Sequence, residues 1–187
     1  LDDLAAASAG PSHASYTYAG KQWGLAVDAA MQVASCRAGA IDELPTTWEA
    51  ALALAAGLRR QGRWMVTPLC PTDAICSFLT LCANLGAPIG PEWVERSVGL
   101  QALNLLRALG EASHPLSLAA NPIAVLDAMA QQDDLVYCPI SFCYTNYARA
   151  GFRPALLAFG PLPGVQGSLL GGAGIAVSAF TQHPEQA

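Results

Sequence analysis

The segment Gly20-Lys21-Gln22-Trp23-Gly24-Leu25-Ala26-Val27-Asp28-Ala29-Ala30-Met31-Gln32-Val33 predicts a β-strand in the first part of the chain. It follows a turn at Ala19-Gly20, and Trp23, Leu25 and Val27 alternate along it as side chains do on one face of a strand. Asp28 lies inside this apolar run. A buried, unpaired carboxylate is costly, so we expect Asp28 either to be satisfied by the backbone or to face a cleft.

Beyond this segment, predicted helices and strands alternate along the chain. Helical spacing of apolar residues predicts the helices, and short apolar runs predict the strands. The helices begin at Pro45 (with Thr46 and Glu49 as a capping box), at Asp73 as N-cap, at about Val98 and at Pro122, and the strands cover 64–68, 135–138, 155–159 and 173–177. Such alternation is typical of a layered α/β domain. Ligands of α/β domains lie beyond the carboxyl ends of strands, which favours the loops 67–73, 139–147 and 168–173.

Composition excludes several classes of protein. With 53% apolar and 12% charged residues, the 187-residue chain is too hydrophobic for a disordered protein. Its net charge is −5 and no basic run occurs, which argues against nucleic-acid binding. No segment reaches the roughly 18–20 apolar residues of a membrane span. Because the sequence lacks an initial Met and a secretory signal, we expect a segment of a longer protein.

No motif predicts a cofactor, a metal site or a catalytic constellation. The P-loop, GxSxG and HExxH patterns do not occur, and the six cysteines form no CxxC pair. Most of these thiols are expected to be reduced core residues. One alternative stays open, a thiol-dependent enzyme that uses Cys70 or Cys143, because Cys70 precedes a predicted helix start, where a thiolate is favoured.

Aromatic and polar side chains follow the predicted strand 135–138. They are Phe142, Tyr144, Asn146 and Tyr147. Aromatic faces with interleaved amides suit a sugar, whose C–H face stacks while its hydroxyls form hydrogen bonds, in a pocket that is mostly apolar. The alternative is that these rings only fill the core.

Five segments match the motifs of one protein family, in the family's order. They are residues 20–33, 44–49 (Leu-Pro-Thr-Thr-Trp-Glu), 78–86 (Phe-Leu-Thr-Leu-Cys-Ala-Asn-Leu-Gly), 121–139 and 169–178 (Leu-Leu-Gly-Gly-Ala-Gly-Ile-Ala-Val-Ser). In these motifs the chain resembles the family 1 extracellular solute-binding proteins of carbohydrate ABC importers, which have the type II periplasmic-binding-protein fold. The resemblance implies a fragment that contains the C-terminal lobe. It also implies a three-layer α/β lobe with a mixed sheet flanked by helices.

The resemblance also implies domain boundaries. Residues 1–24 would be a remnant of the first lobe and residues 25–177 the second, solute-binding lobe. Hinge strands would lie at about 24–34 and 171–178, and residues 178–187 would begin the return into the first lobe.

Ligand-binding residues are carried over from the family position by position. They are Asp28, Asp73, Ser77, Phe142, Tyr144, Gly171 and Gly172. The two aspartates would accept hydrogen bonds from solute hydroxyls. Phe142 would stack on a sugar ring beside Tyr144, and the two glycines would lie where the return strand borders the cleft.

We therefore predict a non-enzymatic, extracytoplasmic substrate-binding protein of an ABC importer that binds a sugar or polyol-like solute between two lobes. Its partners would be the solute and the permease subunits in the membrane, with no nucleic acid and no cofactor. Its location would be periplasmic or extracellular, and a lipid anchor in the full-length protein stays open. The alternatives are the thiol-dependent enzyme and a scaffold lobe that binds nothing by itself.

Overall fold

The computed structural model describes residues 10–87, 90, 93–164 and 167–186. The chain divides into two compact units. The larger unit is Gln32–Leu169, and the smaller unit combines the residues up to Met31 with those from Leu170 onward. The lobe and hinge-strand boundaries inferred from the resemblance stay a prediction.

Nine strands and four α-helices are described. The strands are β1 (Thr17–Tyr18), β2 (Lys21–Gln22), β3 (Leu25–Ala26), β4 (Ala30–Arg37), β5 (Trp64–Met65), β6 (Leu135–Phe142), β7 (Leu157–Gly160), β8 (Leu170–Gly171) and β9 (Gly174–Ile175). The helices are α1 (Trp48–Arg60), α2 (Pro71–Asn84), α3 (Arg96–Ala112) and α4 (Pro122–Gln131). Short 3₁₀ helices cover Ala14–Tyr16, Pro115–Leu118, Thr145–Ala148 and Pro184–Gln186.

The larger unit is built on a sheet with the strand order β5-β6-β4-β7. β4 is antiparallel to both β6 and β7, and β5 is parallel to β6, so the sheet is mixed. β6 is buried at every residue except Phe142. A near-continuous apolar run is typical of a strand covered on both faces, and β6 continues four residues beyond the predicted 135–138.

Helices cover this sheet through two hydrophobic clusters. The first cluster contains buried residues of α1, α2 and α3 together with Val136 and Ile140 of β6. The second contains buried residues of α4 together with Leu135 and Cys138 of the same strand. Because β6 contributes to both, the sheet lies between two helical layers. The predicted three-layer α/β fold with a mixed sheet is confirmed.

The helix starts differ from the predictions in two places. Thr47, not Thr46, caps α1, and its Oγ1 accepts a hydrogen bond from the Ala50 N–H at 3.1 Å. Asp73 is not the N-cap of α2. Cys70 holds that position and Pro71 follows at the first helical position, where a missing N–H costs nothing. Asp73 therefore lies within the first turn.

The smaller unit consists of three antiparallel pairings. β1 and β2 form a hairpin, β3 pairs with β9, and the first two residues of β4 pair with β8. The predicted strand through Asp28 is interrupted, because β3 ends at Ala26 and β4 begins at Ala30. Asp28 lies between them with an exposed side chain, so the expected cost of burying its carboxylate does not arise.

Gly172 allows two backbone segments of the smaller unit to approach closely. Its φ is +134°, a region that side chains rarely adopt, and a Cβ there would collide with the carbonyl oxygen of Asp28 and lie 3.0 Å from the carbonyl carbon. The N–H groups of Val27 and Asp28 both donate to the Ala173 carbonyl, at 3.0 and 3.2 Å. The neighbourhood of Asp28 thus depends on a residue without a side chain at position 172.

Gly172→Ala is expected to destabilise the smaller unit. The substitution combines a strained φ with a backbone collision, and such strain costs on the order of 1–3 kcal/mol. The measurement is hydrogen exchange at the amides of Val27 and Asp28, which should become faster. Gly57→Ala is the matched control, because a Cβ at this helical position meets only a guanidinium nitrogen of Arg60, at 3.8 Å. It should stabilise the protein by about 0.5–1 kcal/mol. Unchanged protection at both amides in Gly172→Ala would contradict the assignment.

Candidate ligand-binding site

The segment that leads from β5 into α2 is held by buried polar side chains. The Thr67 N–H donates to the Ser117 Oγ at 3.0 Å, and the hydroxyls of Thr67 and Ser113 lie 2.9 Å apart. The Cys70 N–H donates to the Ala120 carbonyl at 3.2 Å. Thr67 and Ser117 are completely buried. These bonds satisfy backbone and hydroxyl groups that would otherwise be unpaired in the interior, and they fix the start of α2.

Asp73 lies in the first turn of α2 and is only 7% exposed. Its Oδ2 accepts a hydrogen bond from the Cys70 thiol, with Sγ and Oδ2 2.9 Å apart. A carboxylate in this turn also interacts favourably with the helix dipole. The pKa of the nearby Cys76 thiol is raised, first by burial and then by Asp73 and Cys70. The first turn of α2 therefore carries a nearly buried carboxylate that already accepts one hydrogen bond.

Ser77 follows one turn later on the same helix and is completely buried. The Gln32 side-chain amide lies 3.5 Å from the Ser77 Oγ and donates to it. In this structure the Ser77 hydroxyl is thus engaged inside the larger unit, and its role as a ligand contact stays a prediction.

The aromatic candidates lie at the end of β6. Phe142 is half-buried and pairs with Gln32 of β4, while Tyr144 is 41% exposed just beyond the strand. Tyr147 is buried instead, so of the four residues grouped from the sequence this ring belongs to the core. Tyr144 is therefore accessible at the surface, whereas Phe142 is partly covered.

An ion pair anchors the loop that follows these aromatics. The Arg153 Nε lies 2.6 Å from Asp127 Oδ1 on α4, and the Tyr147 hydroxyl donates to the same oxygen at 2.8 Å. The ring of Tyr147 meets that of Phe152 edge to face, with centroids 5.2 Å apart. The Arg153 hydrogen bond holds the pKa of Asp127 below its usual value, whereas burial raises the pKa of Tyr147 to about 12.

The remaining candidates lie together in the smaller unit. Gly171 pairs with Ala30 across β8 and β4, Gly172 lies against the backbone of Asp28, and Asp28 is exposed. The candidates thus fall into three groups by their place in the fold: Asp73 and Ser77 on α2, Phe142 and Tyr144 at the end of β6, and Asp28 with the two glycines in the smaller unit.

Sequence reasoning missed Gln32, Asp127 and Arg153. Gln32 is 2% exposed, lies opposite Phe142 and contacts Ser77. Its signal in the sequence is a lone amide between Met31 and Val33 in an apolar run. Asp127 and Arg153 are 26 residues apart, and no local pattern connects them.

The six cysteines are all free. Cys36, Cys82 and Cys138 are buried, and the other three are half-buried. Burial raises the pKa of Cys138 to about 12 and also raises that of Cys143. A raised pKa lowers the fraction of reactive thiolate.

Among the described residues, no group of three His, Cys, Asp or Glu side chains is arranged to hold a metal ion. Nor does that part of the chain contain a helix long and apolar enough to cross a membrane.

Three solved structures with the same fold are each about twice as long as this chain. T. maritima MalE3 with maltose bound superposes with a TM-score of 0.78 at 17% identity, over 94% of this chain and 50% of that chain. An ABC transporter solute-binding protein from Thermotoga lettingae, bound with α-D-tagatose, gives 0.75 at 15% identity, over 93% and 50%. The GacH receptor of Streptomyces glaucescens, solved unliganded and with acarbose, gives 0.73 at 16% identity, over 99% and 51%.

These likenesses confirm the predicted resemblance at the level of the fold. The chain has the fold of about half of a solute-binding protein and spans about half the length of these neighbours. No protein-family model and no curated protein sequence matches the chain.

Asp127→Asn is expected to lower the melting temperature at neutral pH by roughly 2–4 °C. Because the folded-state pKa of Asp127 is lowered, its contribution is fully present above the unfolded pKa of about 3.9. It is lost as the pH falls through the lower folded-state value. Thermal melts should therefore show the variant approaching the wild type as the pH falls below about 4.

Asp133→Asn is the matched control for this prediction. Its carboxylate pairs with Arg37, but the side chain is 95% exposed, and exposed pairs contribute little to stability. Arg37 also keeps its bonds to the carbonyls of Met129 and Gln132. A deficit of Asp127→Asn that persists unchanged at pH 2.5 would contradict the role of its charge.

Proposed function

We propose that the chain is the solute-binding lobe of an extracytoplasmic substrate-binding protein of an ABC importer, and that it is not an enzyme. The observation that carries this proposal is the fold likeness, which extends over 93–99% of the chain to three proteins solved with maltose, α-D-tagatose or acarbose. The proposed second lobe is residues 25–177, with hinge strands at about 24–34 and 171–178.

The proposed solute is a sugar or a polyol-like molecule. Tyr144 and Phe142 supply aromatic surface at the end of β6, where a ligand of an α/β fold is expected. Asp73 supplies a carboxylate at the start of α2, and Ser77 follows it on the same helix. Stacking on a ring combined with hydrogen bonds to charged acceptors is the chemistry that a carbohydrate requires.

In this proposal the solute is bound in a cleft between two lobes, with Asp28, Gly171 and Gly172 at its border. Closure about a hinge would bury the solute. Large apolar side chains of the smaller unit are exposed, among them Trp23 at 62% and Phe180 at 90%. Exposed apolar surface favours an interface, and the twofold length of the neighbours supports a first lobe that covers it.

The proposed partners are the solute and the permease subunits. The proposed location is periplasmic or extracellular, with lipid anchoring left as a further proposal.

The alternative of a thiol-dependent enzyme is less favoured. Burial raises the pKa of Cys143, which disfavours its thiolate. The Cys70 thiol is engaged in a hydrogen bond to Asp73.

Maltose, tagatose or acarbose is expected to raise the melting temperature of the full-length protein, and to a smaller extent that of the 187-residue chain. A ligand that binds only the folded state stabilises it by about 2.7 kcal/mol at one hundred times its Kd. Calorimetric titration with the sugar that gives the largest shift then measures the affinity. No shift with any of the three in the full-length protein would remove these sugars from the proposal.

Phe142→Leu should weaken this binding about fivefold, because it keeps apolar volume and loses the stacking face, worth about 1 kcal/mol. Phe142→Tyr is the control that keeps the ring, and it should bind as the wild type does. Asp73→Asn should weaken binding roughly tenfold or more, since hydrogen bonds to charged groups contribute about 1.5–3 kcal/mol. Equal affinity of Phe142→Leu and the wild type would contradict stacking at this residue.

A further inference from the structure

Strand β4 changes its neighbour where the chain passes from one unit to the other. Ala30 and Met31 pair with Gly171 and Leu170 of β8. On β4, pairing with β6 begins at Gln32, whereas pairing with β7 begins only at Ala34. Gln32, at the start of the larger unit, therefore lies between the β8 pairing and the β7 pairing. Its N–H donates to the Ser168 Oγ at 3.2 Å, so a side chain takes the place of a strand partner.

Thr80 of α2 lies at the same place and contacts both connecting segments. Its hydroxyl donates to the Gln32 Oε1 at 2.5 Å and accepts a hydrogen bond from the Leu169 N–H at 2.9 Å. Thr80 is completely buried and Gln32 is 2% exposed. One buried hydroxyl thus joins the first residue and the last residue of the larger unit.

Each partner in this group depends on the others for its hydrogen bonds. A hydroxyl has one proton to donate, and the Thr80 proton goes to Gln32, which leaves the oxygen to accept from Leu169. Buried polar groups that lose a partner are strongly disfavoured. The group therefore has one arrangement that satisfies all its members, and that arrangement holds both segments against α2.

We propose that Thr80, Gln32 and Ser168 form a hinge clamp, which fixes the points where both connecting segments leave the larger unit. Bending is then confined to the segments outside the clamp, residues 28–31 and 170–173. The inference rests on the proposed function, because a two-lobed binding protein needs a defined hinge. The three residues are positioning residues and do not contact the solute.

The clamp also connects the hinge to the proposed site. Gln32 is the β4 partner of Phe142, and its amide donates to Ser77. Thr80 lies seven residues after Asp73 on α2, about two turns along the helix. A solute that contacts Asp73 and Phe142 would thus contact α2, which carries Thr80, and β6, which pairs with β4 at Gln32.

Thr80→Val tests the clamp, because it keeps the shape of the side chain and removes the hydroxyl. Residue-resolved hydrogen exchange by NMR, without any sugar, should show the amides of Gln32 and Leu169 exchanging at least tenfold faster than in the wild type. Amides of β6 and α4 should change no more than the global stability does. Thr80→Ser keeps the hydroxyl and should exchange as the wild type does.

Thr67→Val is the matched control for a buried hydroxyl in the same unit. It removes the Thr67–Ser113 contact of 2.9 Å and should leave the exchange at Gln32 and Leu169 unchanged. Ser168→Ala is a second, milder variant should Thr80→Val not fold, because Ser168 is only half-buried. It should accelerate exchange at Gln32 alone.

Two results would overturn the clamp. One is unchanged protection of the Gln32 and Leu169 amides in Thr80→Val. The other is an acceleration of equal size in β6 and α4, which would mean a general loss of stability. Since no sugar is present, either result leaves the proposed function untouched. A failure of the three sugars to bind, with exchange as expected, would remove these sugars from the proposed function and leave the clamp unaffected.

Discussion

The backbone of β4 is the constraint on which the rest of the structure depends. Its first two residues pair with β8, and its later residues lie between β6 and β7. A strand that changes neighbours leaves backbone groups without a ladder partner, and an unpaired group in the interior is costly. The Ser168 hydroxyl fills this place at Gln32. At Gln32 a side chain thus replaces a strand partner, and that side chain can be substituted singly.

The same solution recurs where loops carry the candidate residues. Buried hydroxyls of Thr67 and Ser117 hold the segment before α2, and the pair of Asp127 and Arg153, with Tyr147, holds the loop after β6. Ser117 accepts a hydrogen bond from a backbone N–H, whereas the second loop is held by contacts between side chains. The loops are thereby tied to the helical layers, which is what a binding site on a rigid scaffold requires.

The sequence predicted the layers of the fold well and the junctions between elements poorly. Helical periodicity found α1 and α2, because a stripe of buried residues on each faces the core. It misplaced the caps, since Thr46 and Thr47 are equivalent by composition and only backbone geometry selects Thr47. The single strand predicted through Asp28 is two strands with a break between Ala26 and Ala30, and the apolar pattern that continues through Ala29 does not reveal this break. Gln32 and Thr80 are 48 residues apart, and their contact depends on tertiary packing that no local pattern encodes.

The candidate residues of the larger unit differ in how they can meet a solute. Tyr144 is already 41% exposed, whereas Asp73 is 7% exposed and its Oδ2 is occupied by the Cys70 thiol. A thiol is a weak donor and a sugar hydroxyl is a stronger one. Exchanging the first for the second would therefore improve the hydrogen bond to the carboxylate without changing its charge. In the proposed binding mode the aromatic ring would therefore make the first contact, and Cys70 would keep the Asp73 oxygen satisfied until a solute hydroxyl replaced the thiol.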